Sequence, residues 1–332
     1  MKPTSSAAKH WQPVPASDEA RIQGTLDEAV QLARANHEGA RATYADELAL
    51  APLEVTAAAI VLPGGACLSA GDAKTHRFTL QSTAKLITLI ALLEEIGEER
   101  VFSVVGKEPS GDSYASVVRL ETHGPSPTNP LINAGAIALC GQLRGSYEER
   151  LAWLRGWTER LYGEALPVDE KMHDAERRGG DHNRAMAYML RRSGVFAGDV
   201  DEVLEIYFAL CSLEADVSVA ARLPALLARG GRDAEGRQII SPATVHTVTA
   251  LMTTCGMYDA SGAHLIATGM PAKSGVSGLI VATAPGTAGI AVVSPRIDGK
   301  GASIRGQMIL KHLTDELHWS FIHLLTGQGL GP

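Results

Sequence analysis

Over residues 86–93 the chain is apolar on nearly every side: Leu86, Ile87, Leu89, Ile90, Leu92 and Leu93 leave almost no polar face. A helix of that kind has to be surrounded by protein. It is far too short to cross a membrane, as is the other long apolar run, 279–285. The rest of the 332-residue chain is therefore expected to build a shell around it, and a hydrophobic content of 45% supplies the material. Gly97 is the expected stop of this helix. Directly ahead of it stands Gln81-Ser82-Thr83-Ala84-Lys85, which puts a hydroxyl and an amine at the head of a buried element.

The flanking patterns say what the shell is made of. Ile22, Leu26 and Val30 give 20–35 the stripe of an amphipathic helix, after a loose lead-in of about twenty residues. Residues 55–62 and 66–69 read as two short strands joined at Pro63-Gly64-Gly65. Residues 279–284 and 289–294 read as an antiparallel hairpin around Pro285-Gly286. Between these ends the texture is helical. Ser146 with Glu149, and Asp199 with Glu202, have capping-box spacing. Asp216 caps a segment running toward Ala228, and Ser241-Pro242 opens a helix through Val245, Val248 and Leu251. Residues 303–313 form a last amphipathic helix. Residues 106–130 are a loop rich in Gly, Pro, Ser and Asn, suited to forming a site. The expected class is α+β: an antiparallel sheet built from both ends of the chain and flanked by helices, with a helical subdomain inserted and a cleft between the two. The expected boundaries are 1–78 with 245–332 for the α/β part and 79–244 for the helical part.

Composition removes several functions. Lys plus Arg number 30 against 37 Asp plus Glu, a formal charge of -7. A nucleic-acid binder relying on bulk positive charge is disfavoured. Cys67, Cys140, Cys211 and Cys255 are scattered and form no CxxC, so neither a disulfide scaffold nor a metal cluster is expected. Each lies among apolar or small residues, and a buried thiol is expected at all four. No apolar run follows the basic residues near the N-terminus, and a soluble cytoplasmic protein is expected.

Ser82 and Lys85 are three apart, about one helical turn. A serine hydroxyl is a weak nucleophile until a neighbouring base takes its proton. A lysine serves as that base when burial lowers its pKa, and the run behind it is apolar. The start of a helix also offers N–H groups to a developing oxyanion. The plain alternative is a capping serine followed by a lysine that reaches solvent. Lys273-Ser274-Gly275, just before the strand run at Leu279, tilts the balance. Serine acyl-transfer enzymes of the penicillin-binding class pair S-x-x-K with a K-[ST]-G on a strand beside the serine. Their middle Ser-Asp-Asn is missing. Asn129-Pro130-Leu131-Ile132-Asn133-Ala134-Gly135-Ala136 stands there instead, and by composition alone it reads as a loop entering a small-residue helix.

Taken with Phe78-Thr79-Leu80-Gln81, Glu108-Pro109-Ser110-Gly111, Asn183-Arg184-Ala185-Met186, Cys255-Gly256-Met257-Tyr258-Asp259 and Pro271-Ala272 through Gly278, these motifs resemble the serine-dependent glutaminases over about 20–313. The resemblance implies a β-lactamase/transpeptidase-like fold and hydrolysis of L-glutamine to L-glutamate and ammonia, with no cofactor or metal. It makes Ser82 the nucleophile, Lys85 its base and Tyr258 a proton relay hydrogen-bonded to Ser82. Asn133, Glu176, Asn183 and Tyr207 would hold the amino-acid end of the substrate. The Val276 and Ser82 N–H groups would form the oxyanion hole. Lys273, Ser274 and Gly275 would support the site, and Tyr44 falls near a pocket tyrosine of the family. These roles are chemically sound: a carboxylate pairs with the substrate ammonium, and amide and phenol donors fix its carboxylate. Read without the resemblance, Glu176 lies in a charged segment that suits a solvated face, Tyr207 suits a helix core and Tyr258 a loop cap.

The chain departs from the family's usual residues at Ala84, Ala175, His182, Tyr114-Ala115-Ser116, Leu279 and Ala302, all supporting positions. The resemblance also implies a homodimer or homotetramer and no nucleic-acid or membrane partner. The apolar stretch 319–325 suits either an interface or packing on its own subunit. The competing readings are a β-lactamase-like or peptidase-like serine hydrolase, and a non-catalytic binding protein on the same fold.

Overall fold

The computed structural model describes residues 16–109 and 126–322. In chain order the helices of seven or more residues are α1 (Ala16–Arg34), α2 (Lys85–Val101), α3 (Asn133–Cys140), α4 (Tyr147–Tyr162), α5 (Glu170–Arg178), α6 (Asp181–Arg192), α7 (Val200–Cys211), α8 (Arg222–Ala228), α9 (Pro242–Cys255), α10 (Ser261–Thr268) and α11 (Ile304–Leu317). The strands are β1 (Ala57–Val61), β2 (Cys67–Gly71), β3 (Phe78–Thr79), β4 (Glu214–Ala215), β5 (Ala272–Ser274), β6 (Leu279–Ala284) and β7 (Ala288–Val293).

Five strands form one antiparallel sheet in the order β2-β1-β7-β6-β5, so the two ends of the chain meet at the β1–β7 pair. The central strands read Ala-Ala-Ala-Ile-Val, Leu-Ile-Val-Ala-Thr-Ala and Ala-Gly-Ile-Ala-Val-Val, buried at every position. Continuous burial means that both faces are covered. Ala58, Ile60, Ile280, Ala282, Ile290 and Val292 pack with α1 and α11. Ala57, Ala59, Val61, Val281, Ala291 and Val293 turn to the larger core, where α2 lies. Alternation along each strand thus feeds two separate cores.

Helix α2 carries out the demand of its sequence: Lys85 through Leu93 are all buried. The regular buried helix ends at Gly97, as expected. The chain passes Gly97 at φ 79°, ψ 165° and resumes helical turns to Val101, because glycine alone absorbs that break cheaply. The expected caps are used. Ser146 and Glu149 form the reciprocal box at α4. Asp199 accepts from Asp201 N and Glu202 N, Asp216 from Val219 N, and Ser241 from Thr244 N. Helix α1 begins at Ala16, earlier than its apolar stripe suggests, with Asp18 and Glu19 in its first turn.

Cys140, Cys211 and Cys255 are buried, but Cys67 is exposed. It opens β2, the edge strand, whose side chains are only partly covered, so small apolar neighbours were a poor guide there. Trp319 is fully buried in the α1–α11 core and so packs on its own chain; the stretch beyond Ile322 lies outside the described residues, as do 110–125 with their Pro-Ser-Gly landmark. Among the described residues no helix is long and apolar enough to cross a membrane.

One close approach decides how the helical layer sits on the sheet. A Cβ on Gly289 of β7 would lie 2.0 Å from Ala225 N of α8. Gly289→Ala should therefore lower stability by about 1–3 kcal/mol, as overpacking does. Gly24→Ala, on α1 with open space around it, should leave stability unchanged or raise it. Thermal unfolding of the two variants checks this pair, and equal melting temperatures would contradict it.

Candidate active site

The head of α2 is placed from two sides. β3 pairs with β4, and Leu80 N donates to Leu213 O at 2.7 Å, which fixes the approach to Ser82 against the end of α7. From the other side comes the end of β5, through Ser274 and Gly275. Between them the chain makes a single 3₁₀ turn, Gln81–Ala84, and runs straight into α2. Thr83 Oγ1 donates to Leu80 O at 2.7 Å and locks that turn.

Two side-chain-bearing residues at the site sit in the left-handed region, Gln81 at φ 47° and Tyr258 at φ 54°. Such conformations cost about 1–3 kcal/mol each and persist only where the surroundings enforce them. For Tyr258 the surroundings include Gly256. A Cβ there would lie 1.8 Å from Ala272 O, so glycine is needed for the Tyr258 turn to lie against β5. Gly256 O in turn accepts from Ser274 N at 3.2 Å. Lys273 Nζ lies 4.0 Å from the centroid of the Tyr258 ring and donates to Ser274 O at 2.7 Å.

Lys85 Nζ donates to Ser82 Oγ at 2.8 Å and to Asn133 Oδ1 at 2.7 Å. Asn133 Nδ2 donates to Asn183 Oδ1 at 3.1 Å, which links the base to the wall of the adjoining cavity. That cavity measures about 280 Å³, near the lower end of small-molecule pockets. Ser82, Asn133, Glu176, Asn183, Tyr207, Val276 and Tyr44 all line it. Glu176, which by local sequence suits a solvated face, is only 5% exposed. Its helix packs against α7, and the Tyr44 hydroxyl lies 2.9 Å from its Oε1 and 2.8 Å from Gln81 Oε1. Lys85 stands behind Ser82, and Tyr258, Lys273, Ser274 and Gly275 lie outside the cavity lining, with Gly275 against the 3₁₀ turn and Tyr258 against Lys273. A Cβ on Gly275 would meet Leu80 O at 2.9 Å.

A family model described as Glutaminase matches residues 39–322. The chain belongs to the glutaminase family. It is 46% identical over 297 residues to a glutaminase of Legionella pneumophila strain Lens, covering 89% of this chain and 96% of the relative. A solved structure of a probable glutaminase, ybaS, superposes with a TM-score of 0.88 at 33% identity and covers 92% of this chain and 99% of its own. Mglu in its glutamate form superposes with a TM-score of 0.85 at 34% identity, over 90% of this chain and 69% of its own. The sheet-and-helix architecture is that of the solved glutaminases.

Electrostatics prepares this glutaminase-family site for base chemistry. Lys85 is fully buried, and desolvation brings its pKa down from 10.5 to about 8, although Cys211, Glu176 and Cys140 pull the other way. Lys273 is also fully buried and is held well below the usual lysine range, by desolvation first and by Lys85 second. Burial raises Glu176, opposed by hydrogen bonds from Tyr44 and Gln81 and by Lys85 and His173. Among the described residues no group of three or more His, Cys, Asp or Glu is arranged to hold a metal.

Four lining residues escape sequence reasoning: Gln81, Gly179, His182 and Cys211. Cys211 carried a usable signal, since it lies one turn beyond Tyr207 on the same face of α7. Its thiol is pushed up to about 12 by burial. Gln81 gave none, because its backbone conformation is imposed by the neighbours of the 3₁₀ turn. His182 is one of the departures from the family pattern. Ala84, Ala175, Leu279 and Ala302 are the others among the described residues, and all four are buried.

Nitrogen-detected NMR of lysine side chains should find Lys85 titrating at about pH 8. In Glu176→Gln the value should fall further, because an ionised Glu176 favours the ammonium form. A Lys85 that titrates above pH 10 in the parent, or rises in the variant, would contradict the assignment of causes.

Proposed function

We propose that the chain hydrolyses L-glutamine to L-glutamate and ammonia through an acyl group carried on Ser82. The observation that carries the residue assignment is the fully buried Lys85 Nζ held 2.8 Å from Ser82 Oγ at the wall of an amino-acid-sized cavity. In its neutral form that nitrogen offers a lone pair to the serine proton and keeps an N–H for Asn133 Oδ1. Ser82 Oγ attacks the side-chain amide carbon while its proton passes to Lys85. The oxyanion forms against the Ser82 and Val276 N–H groups. The C–N bond breaks as ammonia takes up a proton from Lys85, relayed through Tyr258. Water then attacks the γ-glutamyl ester, gives its proton to Lys85, and Ser82 leaves with one restored.

Glu176 pairs with the α-ammonium, and Asn133, Asn183, Tyr207 and the Tyr44 hydroxyl fix the rest of the amino-acid end. A cavity with one acidic wall and amide and phenol donors suits a free zwitterionic amino acid better than a β-lactam or a peptide. Lys273 supports Tyr258 from the face of its ring. We likewise infer that the protein works in the cytoplasm as a homodimer or homotetramer, a reading that follows from its resemblance to the family and its mildly acidic charge.

Ammonia release from glutamine, measured beside asparagine and a chromogenic β-lactam, tests the assignment. Glutamine should be turned over far faster than either. Ser82→Ala should cut its turnover by roughly four orders of magnitude or more. Glu176→Gln should raise KM by roughly thirtyfold, the equivalent of about 2 kcal/mol of a buried charge-assisted contact. Ser82→Ala working at the parent rate would remove the nucleophile assignment, and preferential β-lactam turnover would replace the substrate.

A further inference from the structure

Besides His182 on α6, helices α5, α6 and α7 lend the cavity Glu176, Asn183 and Tyr207. These three groups bind one small molecule only if the helices keep their spacing. The contacts that tie the helices together involve residues outside the cavity lining. On α5, His173 stands one turn before Glu176, and Arg177 directly follows it. His173 Nε2 lies 3.3 Å from Glu205 O and 3.4 Å from Glu205 Oε2. Arg177 takes the same carboxylate from a second direction, with Nη2 at 3.0 Å from Oε2 and Nε at 3.0 Å from Oε1. Glu205 lies on α7, two residues before Tyr207. The α6 helix joins through Arg184, directly after Asn183, whose Nη2 donates to Arg177 O at 2.8 Å.

Each partner in this grip is thus a near neighbour in sequence of a cavity group, and each bond crosses between helices. An exposed ion pair contributes little by itself. Here the imidazole side chain is only 5% exposed and Glu205 30%, and three donors converge on one residue, so the geometry is held more firmly than by a single surface pair. We propose that the His173–Arg177 grip on Glu205, extended to α6 by Arg184, is a positioning device that sets the spacing of Glu176, Asn183 and Tyr207 and so sets the affinity for the amino-acid end of the substrate. His173, Arg177 and Glu205 are positioning residues and touch no reacting atom. The proposal rests on the reading of Glu176 as the partner of the substrate ammonium.

Steady-state kinetics on the full chain tests it. Glu205→Ala and His173→Leu should each raise KM for glutamine about tenfold and leave kcat within about twofold, the signature of lost binding rather than lost chemistry. The double variant should show the rise of the stronger single one, not the product, because both open the same grip. His173→Gln keeps a side-chain N–H and should recover most of the affinity. If Glu205→Ala fails to fold, Glu205→Gln carries the same test at conserved volume. A lower melting temperature with KM unchanged would make the grip merely structural and overturn the proposal, as would equal losses in kcat. Glu176→Gln is run alongside. If that variant keeps the parent KM, the ammonium assignment fails and takes the proposal with it; if it raises KM while Glu205→Ala does not, the grip alone fails.

Discussion

A lysine that is wholly buried, with a serine hydroxyl and an amide oxygen as its hydrogen-bond partners, is the constraint around which this structure is arranged. Neither partner is a carboxylate, so nothing in contact with it repays the cost of removing an ammonium from water. The group responds by losing its proton more readily, and the pKa falls to about 8. The fold supplies that environment. An apolar helix, α2, carries Lys85 into the larger core, where α3, α4 and α9 cover it, and α7 packs against the 3₁₀ turn at its head. Strands from the two ends of the chain close the sheet behind it. The same burial that holds the shell together makes the base.

Strain is concentrated at the same place. Gln81 and Tyr258 take left-handed conformations on either side of the β5 edge, and Gly256 and Gly275 permit the backbones to approach. The packing of β5 against the 3₁₀ turn holds these conformations, and it also places Ser82 at the mouth of the cavity. A nucleophile fixed in this way needs little reorganisation when it reacts.

Much of the architecture was legible in the sequence because it follows from local rules. The apolar run at 86–93 demanded burial, Pro285-Gly286 marked the hairpin, and Ser146, Asp199, Asp216 and Ser241 each capped the helix they preceded. The Ser82–Lys85 spacing was legible for the same reason, since three residues make one turn. Other features depended on tertiary contact. Glu176 lies in His-Asp-Ala-Glu-Arg-Arg, which in isolation is a solvated face; packing of α5 against α7 buries it, and only family resemblance singled it out. The Tyr44 hydroxyl meets Glu176 and Gln81 across long stretches of chain, a meeting no local pattern encodes. Gly97 ended the regular helix as its type suggests, but the short second helical stretch that follows it to Val101 had no local signal. Cys67 looked buried from its neighbours and is exposed, because it opens an edge strand.

Catalysis by Ser82 requires a covalent intermediate on its Oγ. Rapid acid quenching of the parent enzyme during glutamine turnover, followed by digestion and mass spectrometry, tests it directly. A γ-glutamyl adduct on Ser82 should form within the first turnover and disappear as substrate is exhausted. Steady turnover with no adduct on Ser82 at any quench time, or an adduct on another residue, would contradict it.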